Sequence, residues 1–309
     1  MATLQVLRMV VMRLAAVALP EVIRQAKNAA GRTPPRRNAG PFPSRVSINP
    51  FERNAPFMTA RVFDAHFHII DQRFALVENN GYLPPEFTVT HFRERAAALQ
   101  VTGGAVVSGS FQAFDQSYLT DALRQLGPGF VGVTQLPATV SDEEIAHLDA
   151  DGVRAVRFNV RRGGSETLDQ LDTLARRVHE VAGWHTELYI DAADLPDLHA
   201  TLSALPSVSI DHLGLTSEGL PHLLRLVEAG TKVKATGFGR VDLDIDQTVR
   251  AIVKADPTAL MFGSDLPSTR ARRPFEDADL HRLADLVGAE HVQAVLHDNA
   301  AAHYRIGRS

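Results

Sequence analysis

Val62-Phe63-Asp64-Ala65-His66-Phe67-His68-Ile69-Ile70 is the stretch from which the rest of the sequence can be understood. Its β-branched and aromatic residues, over the length of one strand, predict a buried β-strand across residues 62–70. Side chains alternate across a strand, so the pattern puts His66 and His68 on one face. Two imidazoles at the end of an apolar strand are costly to bury unless a partner satisfies them. A metal ion or a carbonyl oxygen to be polarised would serve, and so would ordinary hydrogen bonds at a strand end.

Beyond this stretch, strand and helix signals alternate. Strands are expected at residues 104–108, 130–134, 153–159, 186–190, 208–212, 232–236 and 260–265. Helices are expected at 90–100, 116–125, 141–149, 168–181, 195–204, 220–229, 246–254, 278–287 and 292–304. Ser141 followed by Glu144 has the form of a capping box. Residues 71–88 carry Pro84-Pro85, which excludes a helix or a central strand there and predicts a rigid loop. Parallel neighbours need crossover connections, so eight strands each followed by a helix favour a (β/α)8 TIM barrel. An open doubly wound sheet is the alternative, but no Gly-x-Gly-x-x-Gly follows the first strand.

Composition narrows the function classes. The chain has 309 residues and no cysteine, which excludes disulfides and thiolate metal sites and permits a reducing compartment, so a cytoplasmic location is expected. No apolar run is long enough for a membrane span. Nine basic residues between Met1 and Met58 face only Glu21 and Glu52, while the remainder is acidic. Residues 1–58 therefore read as a basic, Pro-rich, disordered extension, and 59–309 as the barrel domain; Met58 is the expected natural start. The basic residues are not clustered and have little aromatic interleaving, which argues against a nucleic-acid partner.

In a barrel, chemistry gathers at the C-terminal ends of the strands. There the sequence places His66 and His68, Arg157-Phe158-Asn159 followed by Arg161 and Arg162, Tyr189, Asp211-His212, Arg240 and Asp265. A carboxylate among imidazoles can take a proton from water, and imidazoles can stabilise an oxyanion or hold a metal. Arginines at the same rim suit carboxylate or sulfonate groups. Together they imply hydrolysis of an acyl bond in a small anionic molecule.

Four motifs in order, Phe63-Asp64-Ala65-His66-Phe67-His68, Gly152-Val153-Arg154-Ala155-Val156-Arg157-Phe158-Asn159, Ile210-Asp211-His212-Leu213-Gly214 and Phe262-Gly263-Ser264-Asp265-Leu266-Pro267, resemble the amidohydrolase superfamily. Within it (amidohydrolase-related family 2) they are similar to the 2-pyrone-4,6-dicarboxylate lactonase-like branch, over residues 61–304. The resemblance implies a lactonase, a carboxylic ester hydrolase of aromatic degradation, on a distorted (β/α)8 barrel. Asp265 would be the general base, with His66, His68 and His212 polarising the lactone carbonyl. Substrate contacts would fall on Tyr82, Ser110, Arg157, Tyr189 and Arg240. A further arginine in the loop after strand four would be Arg161 or Arg162, neither in matching register. The superfamily's binuclear members bridge their metals with a Lys or Glu at strand four and use a histidine ending strand five. Arg157-Phe158-Asn159 and Tyr189 stand there instead, with His185 at the wrong end of its strand, so a binuclear centre is rejected. One Zn2+ or Mn2+ on His66, His68, His212 and Asp265 is the metal alternative, and metal-independent catalysis is the preferred expectation. A small anionic lactone is the expected partner, with a homodimer as the allowed assembly. A metal-dependent decarboxylase and a non-catalytic anion-binding barrel are the competing functions.

Overall fold

The computed structural model describes residues 60–307. The expectations for residues 1–58, an extension outside the barrel and a natural start at Met58, lie outside the described residues. Eight strands, β1 (Val62–Phe67), β2 (Val101–Val107), β3 (Phe130–Thr134), β4 (Val153–Phe158), β5 (His185–Leu188), β6 (Val208–Ile210), β7 (Lys232–Ala235) and β8 (Leu260–Phe262), form one sheet in sequential order. Every adjacent pair is parallel. The architecture is a TIM barrel, and the open doubly wound sheet is excluded by the strand order. No helix among the described residues is long and apolar enough to cross a membrane.

Helices α1 (Val89–Ala96), α2 (Ser117–Leu126), α3 (Asp142–Ala150), α4 (Leu171–Ala182), α5 (Leu195–Ala204), α6 (Leu220–Glu228), α7 (Ile245–Ala255), α8 (Asp277–Gln293) and α9 (Asn299–His303) complete the described chain. Each surrounds the sheet for a reason visible in its spacing. In α4, Leu171, Leu174, Ala175 and Val178 are buried on one face, the stripe expected of a surface helix. Gly183, at φ 68°, ends that helix by taking the left-handed conformation that glycine tolerates, and its N–H donates to the His179 carbonyl. Ser141 caps α3 by accepting from the Glu144 amide, but the return bond of a full capping box is not among its contacts. The two predicted C-terminal helices are one element broken at Gly288, φ 74°, and then a π turn over Ala294–Asp298 leading into α9.

Inside the barrel, Phe63, Ala65, Ala105, Val107, Val131, Val133, Ala155 and Met261 pack with Tyr304, which follows α9. Tyr304 stacks on Phe63 with ring centroids 5.6 Å apart, so the C-terminal segment caps this apolar layer. The seam between β8 and β1 is made just beyond the strand ends. The Asp265 amide donates to the His66 carbonyl at 2.7 Å, and the His68 amide to the Leu266 carbonyl at 2.7 Å. The Asp64 carboxylate accepts from both the amide and the hydroxyl of Ser264. Gly263 permits this approach, because a Cβ there would stand 2.9 Å from His66 Cβ.

Gly263→Ala should therefore prise β8 from β1. A loss of about 1–3 kcal/mol is expected, the usual cost of forcing an extra methyl into a packed interior. Urea denaturation followed by circular dichroism would measure it, and an unchanged midpoint would count against the seam as described.

Candidate active site

Simple alternation along β1 does not by itself explain how both histidines reach the interior. Asp64 pairs with Gly104 and Phe67 with Val106, so three steps on β1 oppose two on β2. This extra residue is a β-bulge, a device that re-aims side chains. Phe63 and Ala65 face the barrel interior below it. Above it Phe67 turns outward and stacks on Phe92 of α1, ring centroids 3.7 Å apart, while His66 and His68 turn inward. The ring of His68 is fixed by an Nδ1–H bond to the Val107 carbonyl at 2.7 Å. A carbonyl only accepts, so the neutral ring carries its lone pair on Nε2.

Asp265 and His212 arrive from loops held in strained backbone. Their φ values are 62° and 52°, a left-handed region that is uncommon for non-glycine residues. Asp265 is fully buried. Its Oδ1 lies 3.5 Å from His68 Nε2 and 3.9 Å from His66 Nε2, without a hydrogen-bond partner of its own. Its Oδ2 accepts two N–H bonds from Arg240, from Nε at 2.9 Å and from Nη2. Burial, the largest single influence, would raise the Asp265 pKa, but Arg240, His212, His68 and His66 together outweigh it and hold the carboxyl far below the usual range. The His212 ring centroid is 4.9 Å from that of His66 and 4.8 Å from that of Tyr189. Burial, reinforced by Arg240, keeps His212 neutral, well below the ordinary imidazole range. His66 is likewise lowered by burial, to about 4.

Beneath these groups lies a buried chain of charge that sequence reasoning missed. Lys234, on β7, is fully buried with Nζ 2.5 Å from Glu187 Oε2, 3.5 Å from Asp211 Oδ1 and 3.4 Å from His66 Nδ1. Glu187, on β5, also accepts from Tyr304 and contacts His185 Nε2 at 3.0 Å. Asp211 Oδ2 accepts from Arg157 Nε at 3.1 Å and Nη2 at 2.8 Å. Burial pushes Asp211 up, yet the facing His66, Arg157 and Lys234 carry it well below the carboxylate range. The signal was present in the sequence. Glu187 and Lys234 are charged residues within predicted strands, and such residues are seldom buried unless paired.

Above the imidazoles opens a cavity of about 350 Å³, mouth included, lined by His68, Ser110, Arg157, Tyr189, His212 and Arg240 among others. Most of the sequence-predicted residues thus meet in one place. Ser110 borders the cavity directly. Arg157 reaches it too, but most of its donors are spent on Asp211 and on the Ser108 carbonyl. Tyr189 accepts from Arg240 Nη1 at 3.3 Å. Two residues stand apart. Arg161 is exposed and borders only a second, outer cavity. Tyr82 lies beneath the guanidinium of Arg270 and does not line the inner cavity. Gln135, not foreseen, ties the surrounding loops by donating to the Ala113 carbonyl at 2.8 Å and the Gly164 carbonyl at 3.0 Å. His185 sits at the start of β5, away from the rim, as expected.

His66, His68 and Asp265 offer ligand atoms within 4.8 Å of one another, and so do His66, Asp211 and His212. In the first group His66 Nε2 and Asp265 Oδ1 are buried without partners and His68 Nε2 bears a lone pair, so the donors fit one divalent cation. The tautomer of His66 governs that fit. If Asp211, 3.2 Å away, takes the Nδ1 proton, Nε2 is free to ligate. If Lys234 donates to Nδ1, the proton sits on Nε2 and points it at an acceptor instead.

Lys234→Met would strand the Glu187 and Asp211 carboxylates without their shared cation. A destabilisation of about 3–5 kcal/mol is expected from breaking a buried pair on one side only. In urea denaturation, adding Glu187→Gln should restore part of it, and strictly additive losses would disprove the coupling.

Known proteins resemble this chain in sequence and in fold. A family model described as amidohydrolase matches residues 63–306. The 2-pyrone-4,6-dicarboxylate hydrolase of Comamonas testosteroni is 27% identical over 280 residues, covering 80% of this chain and 91% of that one. A Pseudomonas putida structure named for 2-pyrone-4,6-dicarboxylic acid hydrolysis is 26% identical with a TM-score of 0.68, over 80% of this chain and 98% of that one. An Acinetobacter baumannii structure of similar name, with citric acid bound, gives a TM-score of 0.70 at 22% identity, over 79% and 99%; it supports the fold alone. With the match running through nearly the whole barrel, the chain belongs to the amidohydrolase family.

Proposed function

We propose that this protein is a lactonase that opens a small anionic lactone of the 2-pyrone-4,6-dicarboxylate type. One observation carries the proposal: an ionised, buried Asp265 presents an unpartnered oxygen to His66 and His68, and His68 in turn lines an arginine-rich cavity. The name of the Comamonas testosteroni relative gives the substrate class. In the proposed reaction, water loses a proton to Asp265 Oδ1 as its oxygen bonds to the acyl carbon. The acyl–oxygen bond of the ring then breaks, and the same proton passes from Asp265 to the departing ring oxygen.

The imidazoles take distinct parts in this scheme. In this scheme Lys234 rather than Asp211 is the partner of Nδ1, so His66 carries its proton on Nε2, ready to donate to the developing oxyanion. His68 donates there only when doubly protonated, because its Nδ1–H is committed to Val107. His212 closes the third side, its Nδ1 buried without a partner. A carboxylate held as strongly acidic as Asp265 is a poor base. A substrate carboxylate competing for Arg240 would loosen that hold, so recognition of the anion and activation of the base become one event.

A divalent cation on His66, His68 and Asp265 would supply Lewis-acid polarisation of the carbonyl. We favour the metal-independent form, because Arg240 on Asp265 and Lys234 beside His66 already place positive charge at two of those ligands. The metal-bound form is the alternative, a mononuclear amidohydrolase or decarboxylase.

Asp265→Asn should lower turnover of 2-pyrone-4,6-dicarboxylate by at least about 10²–10⁴-fold, the span of general-base catalysis. Loss of the pyrone absorbance measures it, beside a panel of aldonolactones and sulfonated lactones. Undiminished turnover in the Asp265→Asn variant would dismiss Asp265 as the base. Elemental analysis of the purified protein should find well under one metal per chain, with activity retained in EDTA. A stoichiometric metal whose removal stops turnover would instead establish the alternative.

A further inference from the structure

Three acceptors surround the buried ammonium of Lys234. Glu187 Oε2 lies 2.5 Å from Nζ, His66 Nδ1 3.4 Å and Asp211 Oδ1 3.5 Å. An ammonium only donates, so His66 Nδ1 can face it only through a lone pair. Asp211 Oδ1 is slightly nearer to Nδ1, at 3.2 Å, yet it has no hydrogen-bond partner. Where Nζ stands therefore decides which nitrogen of His66 carries the proton.

The shortest of these contacts, that to Glu187, is governed by the tail of the chain. Glu187 Oε1 accepts from the Tyr304 hydroxyl at 2.5 Å, so both oxygens are bound and the plane of the carboxylate is fixed. Burial, and then the facing Glu187 charge, keeps that hydroxyl protonated and therefore a donor. It has one hydrogen and a second acceptor in reach, the Ala65 carbonyl at 3.2 Å, but the carboxylate is nearer and charged. The other contact of Oε1 is His185 Nε2 at 3.0 Å, whose ring packs edge-on against Tyr304. Phe63 stacks on the tyrosine ring and holds it from the apolar side. Hydroxyl, carboxylate, ammonium and imidazole thus run in one file from Tyr304 to His66.

We propose that Tyr304 and Glu187 are positioning residues that act through Lys234 to hold His66 protonated on Nε2, the form that donates to an oxyanion and does not ligate a cation. Neither residue lines the cavity above the imidazoles. Without the hydroxyl, the Glu187 carboxylate is free to turn, Nζ follows it away from Nδ1, and Asp211 becomes the acceptor of an Nδ1 proton. His66 Nε2 then bears a lone pair beside His68 Nε2 and Asp265 Oδ1, a donor set for one divalent cation. The tail of the chain thereby separates a proton-donating site from a metal-binding one. The proposal rests on the lactonase reading for its effect on turnover, but not for its effect on the imidazole.

Tyr304→Phe keeps the stacked ring and removes only the oxygen. Two-bond 1H–15N spectra of the full-length protein, labelled in histidine, read the tautomer directly, with His66 assigned by its absence in His66→Gln. The wild type should show His66 protonated on Nε2 alone, and Tyr304→Phe should shift it toward protonation on Nδ1. Zn2+ titrated against a chromophoric chelator should bind Tyr304→Phe at least about tenfold more tightly than the wild type, the lower end of what partners of ligating histidines are worth. On the lactone, kcat should fall about tenfold with KM within about twofold, since the hydroxyl touches no substrate. Ser209→Ala removes a buried hydroxyl from the strand beside Glu187 but outside the file, and should change none of these. Glu187→Gln breaks the file at its next link and carries the same test should Tyr304→Phe lose its circular dichroism spectrum. A wild-type His66 in any other protonation state would overturn the proposal. So would an unshifted tautomer in a folded variant, unchanged Zn2+ affinity, or the same response in Ser209→Ala. If the tautomer and Zn2+ affinity shift but the wild type hydrolyses no lactone, the positioning role stands and the lactonase reading fails. Undiminished kcat in Tyr304→Phe would overturn the proposal and leave the lactonase standing.

Discussion

A carboxylate withdrawn from water must be matched by fixed positive or proton-donating groups, and this constraint shapes the upper half of the barrel. Asp265 is matched by Arg240, Asp211 by Arg157 and Lys234, and Glu187 by Lys234 and Tyr304. Such pairs add little net stability against an apolar core, because desolvation consumes most of the attraction. What they provide is orientation. Each carboxylate fixes the direction of a guanidinium, an ammonium or an imidazole, and the cavity inherits that geometry. The apolar layer around Phe63 and Tyr304 carries the burial that charged strands cannot.

The same residues also close the fold. The ladder runs from β1 to β8, and the gap between those two is bridged by the backbone of His66, His68, Asp265 and Leu266 with the Asp64 carboxylate on Ser264. Burial lifts the Asp64 pKa to about 6 against the opposing Ser264 bonds, so even this structural carboxylate answers to its surroundings. The geometry of the candidate site and the closure of the barrel are thus one set of contacts. The left-handed backbone at Asp265 and His212 is tolerable because the barrel rim overdetermines it.

The sequence showed the barrel because its signal is additive: eight alternations of apolar strand and amphipathic helix agree with one another. The convergence of His66, His68, His212 and Asp265 followed from the same rule about strand ends. Finer features depended on interactions that spacing does not record. The inward turn of both histidines needs a bulge that alternation does not contain. Arg157 has the residue type of an anion-binding group, yet Asp211, adjacent in space and distant in sequence, occupies it. Lys234 and Glu187 were legible as charges within strands, but their meaning required seeing that they meet.

The arginines show most clearly why residue type alone misleads. Their number at the rim suggests affinity for negative charge, but charge already neutralised inside the protein offers a ligand little. Arg157 and Arg240 are both bound to carboxylates, those of Asp211 and Asp265, and shape the site through them. Arg240 has a further part, since its partner is the proposed base itself. An anion that draws Arg240 away gives up some attraction and in return frees the carboxylate to act. An anion that leaves Arg240 in place gains no such release. The position of negative charge along a substrate then governs binding and turnover separately, a division that follows from which carboxylates the arginines already hold.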